Sequence, residues 1–215
     1  MTLYAILSDV HGHTAALERV LADARYHGAD VWVALGDIGS DSCYDLLREV
    51  GAQGVFGNYE VSGWDKLRPE NQQWVQKLPG VLVGPDWLAA HAVPYFPPGV
   101  DTVQQVLDYL LEHQVKWRVL FPDLVQNEQA RWLSVAELET RSRSILFHGH
   151  THLQRIWRVK PDNAMVEVSD RVIQIVTANR YIVGVGSVGQ PMEGAWPGYA
   201  LYDDRAGVVR LQQVR

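Results

Sequence analysis

The chain has 215 residues, 47% apolar and 20% charged, with a formal net charge of −6. That composition supports a normal core, argues against disorder, and gives no basic stripe for general nucleic-acid or anionic-membrane binding. One domain over residues 1–215 is a better expectation than two small ones, and the single Cys43 excludes an internal disulfide framework and fits a reducing, cytoplasmic compartment. Met1 to Ser8 lacks the basic n-region and cleavage site of a signal peptide. No stretch reaches transmembrane length. Eight tryptophans are many for this length, and some are expected to line a groove or meet a partner.

Leu3 to Leu7 reads as a buried strand running into Ser8-Asp9-Val10-His11-Gly12-His13. From Thr14, read as an N-cap, Leu17, Val20, Leu21 and Ala24 recur at helical spacing until Gly28. Val31 to Leu35 is a second strand, followed by Gly36-Asp37 and a helix containing Leu46, Leu47 and Val50. A third strand, Gly54 to Phe56, leads into Gly57-Asn58-Tyr59-Glu60. This alternation predicts a parallel α/β layer.

Residues 61–80 are polar and predict a loop with a helical turn or more. Val81 to Val83 and Trp87 to Ala90 predict strands, the latter ending on His91. Prolines 94, 97 and 98 break the pattern. Val103, Val106, Leu107, Leu110 and Leu111 then give an amphipathic helix, and a second is expected over Asn127 to Thr140. Ile145 to Phe147 is another buried strand, followed by His148-Gly149-His150-Thr151-His152. Read as extended chain, it aims the rings of His150 and His152 the same way. Beyond His152 six short strands, separated by turn residues, predict an antiparallel second sheet.

Possible ligands thus stand at five places, each at the C-terminal end of a predicted strand, where open α/β sheets bind ligands: Asp9 with His11, Asp37, Asn58, His91, and His150 with His152. Carboxylate, amide oxygen and imidazole form a mixed set that suits Mn, Fe, Zn, Ni or Co better than Ca, and it lacks the thiolates of a structural zinc site.

The pattern Asp9-Val-His11, Gly36-Asp37, Gly57-Asn58-Tyr59-Glu60, His91 and Gly149-His150-Thr151-His152 resembles the calcineurin-like metallophosphoesterases, whose blocks are D-x-H, G-D, G-N-[H or C]-[DE], a lone H and G-H-x-H. The late Gly186-Ser-Val-Gly-Gln190 resembles the small bacterial branch of that family. The resemblance implies an α/β fold, a four-layer αββα sandwich of two mixed sheets, with a helical cap-like segment around 99–143. It implies two divalent metal ions, manganese ahead of iron, zinc, nickel or cobalt. Asp9, His11 and His152 would bind one, Asn58, His91 and His150 the other, and Asp37 would bridge them. The activity implied is hydrolysis of a small-molecule or nucleotide phosphoester, a diester first, by a hydroxide bridging the two ions. Phosphomonoesterase action, on a protein or a nucleotide, is the alternative within the same chemistry. A catalytically silent binding scaffold is the alternative outside it.

One position departs from the family pattern. Tyr59 stands where a histidine is common, and an unperturbed phenol is a poor acid near neutrality, although it can donate a hydrogen bond to phosphate. That puts the general-acid role in question, with His13 as the substitute and Tyr59 and Asn58 as further catalytic candidates. Other residues carry plainer readings. Glu60 is structural, His148 is core or supports a ligand, Cys43 is a small core residue, and His27 and His113 are surface residues.

Overall fold

The computed structural model describes residues 2–215; Met1, the first residue of the run read above for a signal peptide, lies outside them. Successive side chains of a strand face opposite ways, and here both faces of the central strands are apolar. In β1 (Leu3–Leu7), Ala5 and Leu7 enter one buried cluster and Ile6 another. In β2 (Val31–Ala34), Trp32 and Ala34 join the first cluster and Val33 the second. Between β5 (Trp87–Ala90) and β6 (Ile145–His148), Trp87, Ala89, Ile145 and Phe147 meet that second cluster, while Leu88, Ala90 and Leu146 enter a third.

Three apolar layers need four layers of backbone. The middle cluster is the contact between two sheets. Helices α1 (Thr14–Tyr26) and α2 (Asp41–Glu49) cover one outer face through Leu17, Val20, Leu21, Tyr44 and Leu47. Helix α6 (Glu128–Thr140) covers the other through Ala130, Val135 and Leu138. The helices α3 (Asn58–Gly63), α4 (Pro69–Val75) and α5 (Val103–Glu112) extend the first outer layer, where Val61, Val75, Val103 and Val106 are buried. The αββα sandwich is therefore observed.

The first sheet runs β3-β2-β1-β11-β12-β9, with β3 at Gln53–Gly54, β9 at Val172–Gln174, β11 at Gly198–Asp203 and β12 at Val208–Gln213. The second runs β4-β5-β6-β10-β7-β8, with β4 at Val81–Val83, β7 at Gln154–Val159, β8 at Met165–Val168 and β10 at Arg180–Val185. Strands β1, β2 and β3 are mutually parallel, as are β5, β6 and β10; every other pair is antiparallel.

This corrects the expected antiparallel sheet after His152. Its strands are shared out, β9, β11 and β12 to the first sheet and β7, β8 and β10 to the second. Both β1 and β6 are central strands that need a neighbour on each side. They receive β11, with Ala5 opposite Leu201, and β10, with Leu146 opposite Ile182. Hydrophobic alternation encodes a face and not a partner. Three local readings also change. His13, not Thr14, occupies the N-cap of α1, and it makes no side-chain cap. The third strand is short, registered at Gln53 and Gly54; Val55 N–H still donates to the Ala34 carbonyl of β2, and Phe56 N–H turns away to the Pro79 carbonyl. Residues 61–80 hold the end of α3, a 3-10 turn at Trp64–Lys66 and α4.

Buried tyrosines set an alkaline limit on the fold. Burial, and then the Asp86 carboxylate, push Tyr202 up to about 12. Burial, and then the hydrogen bond Tyr199 donates to Asp23 Oδ2 at 2.7 Å, push Tyr199 higher still. A free phenol ionises near 10, so these raised values stabilise the fold fully below about pH 10, and the contribution is lost as pH rises through about 12. Urea unfolding at stepped pH should show stability falling across that window, and Tyr202→Phe should flatten the fall. A wild-type curve level to pH 12 would contradict this.

Candidate metal centre

The parallel strands β1, β2 and β3 of one sheet, and β5 and β6 of the other, all release their chains into the candidate residues. Asp9, His11, Asp37, His150 and His152 have φ of 54°, 48°, 54°, 64° and 58°. Side chains bearing a Cβ rarely adopt this left-handed region, and such strain gathers at functional sites. It also corrects the extended reading of 150–152. The chain leaves the strand after His148, and the two imidazoles turn to different neighbours. His150 Nδ1 lies 3.2 Å from His91 Nε2, whereas His152 Nε2 lies 3.1 Å from His11 Nε2 and 3.2 Å from Asp9 Oδ1.

Backbone hydrogen bonds hold these loops together. Asp9 N–H donates to Gly36 O, His11 N–H to Asp37 O, and Gly149 N–H to His91 O. Two glycines make the close approach possible. A Cβ on Gly57 would stand 2.2 Å from Asp37 Oδ1, and one on Gly149 would stand 1.8 Å from Ser8 Oγ.

The side chains form two touching groups. Donor atoms of Asp9, His11 and His152 lie within 4.8 Å of one another, as do those of Asp9, Asp37 and His91. Asp37 faces both groups, with Oδ2 4.0 Å from His11 Nε2 and Oδ1 3.5 Å from His91 Nε2. Asn58 Oδ1 stands 3.1 Å from His91 Nε2. Every expected ligand is thus brought to one place, although Asp9 adjoins both groups.

Three observations fit this cage to cations. First, His91 Nδ1 lies 2.7 Å from the Leu35 carbonyl and His152 Nδ1 2.8 Å from the Gln190 carbonyl. A carbonyl can only accept, so the ring protons sit on Nδ1 and both Nε2 lone pairs point inward. Second, Asp9 Oδ1 is buried and has no hydrogen-bond partner among the described residues, a costly state unless a positive charge meets it. Third, the carboxylates crowd one another. Burial first, and then the Glu60 and Asp9 charges, raise Asp37 to about 7 against the opposing effect of His91. Burial, and then His91, push His150 down to about 3, so its ring is neutral near pH 7, the form that binds metal. A divalent ion relieves the crowding and uses the lone pairs.

Glu60 is structural, as expected, but through the backbone. It is buried and accepts from Asp37 N–H at 2.8 Å, Ile38 N–H at 2.9 Å, Gly57 N–H at 2.7 Å and Tyr44 O–H at 2.6 Å. One carboxylate thereby ties the Asp37 loop to the start of α3. Tyr44 gave no signal beyond its place on a buried helix face. The Leu35 and Gln190 carbonyls are backbone atoms, which composition and spacing do not report. His148, Cys43, His27 and His113 match their plain readings, the first two buried and the others exposed.

The catalytic candidates lie at the rim. Tyr59 is 47% exposed, sets its ring edge-on to His11 at 5.8 Å, and lines a cavity of about 330 Å³ with Ser40, Ser62 and Lys66. His13 is exposed, and its Cδ2 would lie 2.8 Å from a Cβ on Gly189. It makes no side-chain hydrogen bond to the ligand cluster among the described residues.

The family model described as the calcineurin-like phosphoesterase superfamily domain matches residues 1–207. The chain belongs to that superfamily. This superfamily member is 24% identical, over 99% of its length and 87% of the relative's, to an uncharacterized protein of Methanocaldococcus jannaschii. It superposes on a metallophosphoesterase from Sphaerobacter thermophilus with a TM-score of 0.73 and 26% identity, covering 100% of this chain and 89% of that one. A structure described as a novel archaeal phosphodiesterase shares the fold at a TM-score of 0.55 and 13% identity, over 99% of each chain. Membership supports metal-dependent phosphoester hydrolysis as the chemistry of the family. Among the described residues, no helix is long and apolar enough to cross a membrane.

Proposed function

We propose that the protein hydrolyses phosphodiesters with two divalent ions, manganese first. Asp9, His11 and His152 would hold one, Asn58, His91 and His150 the other, and Asp37 would meet both. The observation that carries this reading is convergence: carboxylates, an amide and inward-facing imidazoles from both sheets stand within ion-binding distance, with ring tautomers set by carbonyls. Such ions supply charge for the phosphoryl oxygens and make an attacking water acidic.

The chain's own groups do the rest. The Asp9 and Asp37 carboxylates fix the charge of the cage, and Asn58 Oδ1, 3.1 Å from His91 Nε2, adds a neutral oxygen donor to it. Tyr59, exposed at the rim, donates its O–H to a non-bridging phosphate oxygen. His13 delivers a proton to the leaving alkoxide. Residues 99–143 act as a cap on one domain, and the substrate is a small molecule or nucleotide met in the cytoplasm.

The test is a metal analysis of the purified protein, followed by assays of bis-p-nitrophenyl phosphate and p-nitrophenyl phosphate with added Mn²⁺. Turnover favouring the diester is expected. Turnover favouring the monoester would make the protein a phosphomonoesterase, and bound metal with no turnover of either would make it a scaffold. For His13, replacement by Ala should slow alkyl diesters about a hundredfold, and nitrophenyl esters, whose leaving group needs no proton, far less. Equal losses on both would remove His13 from the acid role.

A further inference from the structure

A second groove adjoins the cage at His150. It has a volume of about 420 Å³ and is lined by Trp117, Arg118, Phe121, Pro122, Asp123 and His150. That volume is in the range of small-molecule sites. His150 lines this groove and is also an expected metal ligand, so groove and cage share a wall. The Trp117 indole stands edge-on to the His150 imidazole, 5.6 Å between centroids and at 89°. The Arg118 guanidinium lies over the same indole, 5.3 Å from its centre. Arg118 is exposed and has no ion pair among the described residues.

These facts select a ligand chemistry. A guanidinium kept beside an indole, with no ion pair of its own among the described residues, leaves a planar cation on which a nucleobase can stack, a recurring way of holding nucleobases. Asp123 lines the same groove. Its Oδ1 accepts from Val125 N–H and Gln126 N–H, and its other oxygen remains available to a ligand donor. A second phosphate would be attracted to Arg118 but repelled by Asp123. A planar ring carrying N–H groups suits both: its face rests on the guanidinium and its edge donates to the carboxylate.

We infer that Trp117, Arg118 and Asp123 form a nucleobase subsite beside the metal centre, so that the substrate is a nucleoside phosphodiester. This rests on the phosphoesterase reading for its orientation, but its test does not need turnover. Mn²⁺-loaded protein is titrated calorimetrically with adenosine 5′-monophosphate, ribose 5-phosphate, inorganic diphosphate and methyl phosphate. Wild type should bind the nucleotide about tenfold more tightly than ribose 5-phosphate, the scale of one stacked base. That ratio should fall close to one in Arg118→Ala and drop partly in Asp123→Asn, which keeps the Oδ1 acceptor. Both residues are exposed, and circular dichroism and metal stoichiometry would confirm that each variant folds and loads. A wild-type ratio near one, or a ratio that survives Arg118→Ala, overturns the subsite. Diphosphate binding that depends on Arg118, without nucleotide preference, overturns it in favour of a second phosphate. Absence of diester hydrolysis, with the binding pattern intact, defeats the phosphoesterase reading and leaves the subsite standing.

Discussion

Asp37→Asn should reduce Mn²⁺-dependent hydrolysis of bis-p-nitrophenyl phosphate by on the order of 10²–10³-fold, the scale set by losing one preorganised electrostatic group, and should lower metal stoichiometry. The side chain is isosteric, so the fold should persist. What changes is charge and lone-pair geometry. Asp37 is buried, and its two oxygens point separately at His11 and His91, 4.0 and 3.5 Å away. An amide offers one oxygen to two cations and turns N–H donors toward the other. Oδ1 also accepts from Tyr59 N–H at 2.8 Å, so the amide oxygen should stay there and the NH₂ should face His11. The metal near Asp9, His11 and His152 is therefore expected to weaken first. Metal analysis of the dialysed variant reads this directly. Full occupancy with near-normal turnover would refute the bridging role.

Glu60→Ala should lower stability by about 3–5 kcal/mol, the usual cost of leaving buried polar partners uncompensated, and the thermal midpoint by about 10 °C for a chain of this size. No expected metal ligand is altered, yet metal affinity should also fall. Three backbone N–H groups and the Tyr44 O–H lose their common acceptor. Two of those amides belong to Asp37 and Ile38, so the left-handed turn that presents Asp37 loses its anchor. In the wild type, burial and then the adjoining Glu60 carboxylate raise the Tyr44 hydroxyl well above its ordinary value; in Glu60→Ala that buried hydroxyl loses its acceptor together with the three amides. Glu60→Gln separates the two effects: it keeps one acceptor oxygen and should retain more of both stability and metal affinity. Differential scanning calorimetry with a Mn²⁺ titration distinguishes the variants. A Glu60→Ala midpoint within 2–4 °C of wild type, about 1 kcal/mol, would mean that water replaces the carboxylate.

Much of the site could be read before any coordinates. Asp9, His11, Asp37, Asn58, His91, His150 and His152 each follow an apolar run that had to be a buried strand, and parallel strands release their C-terminal ends at one edge. The apolar runs of β1, β2 and β6 also indicate strands buried on both faces. Those conclusions need only local period and residue type, whereas the four-layer sandwich is implied only by the family resemblance.

What the chain order could not supply is everything that depends on a partner distant along the polypeptide. Strands after residue 152 look alike in pattern, and only competition for the open edges of β1 and β6 sends β11 to one sheet and β10 to the other. The direction of the His150 and His152 rings follows from left-handed turns held by loops from β1, β2 and β5. Likewise the inward lone pairs depend on carbonyls of Leu35 and Gln190, 56 and 38 residues away from the rings they orient. Side-chain chemistry is carried by single residues and survives in the sequence; backbone carbonyls are the same at every position, so which of them reaches a given imidazole is decided only when the chain has folded.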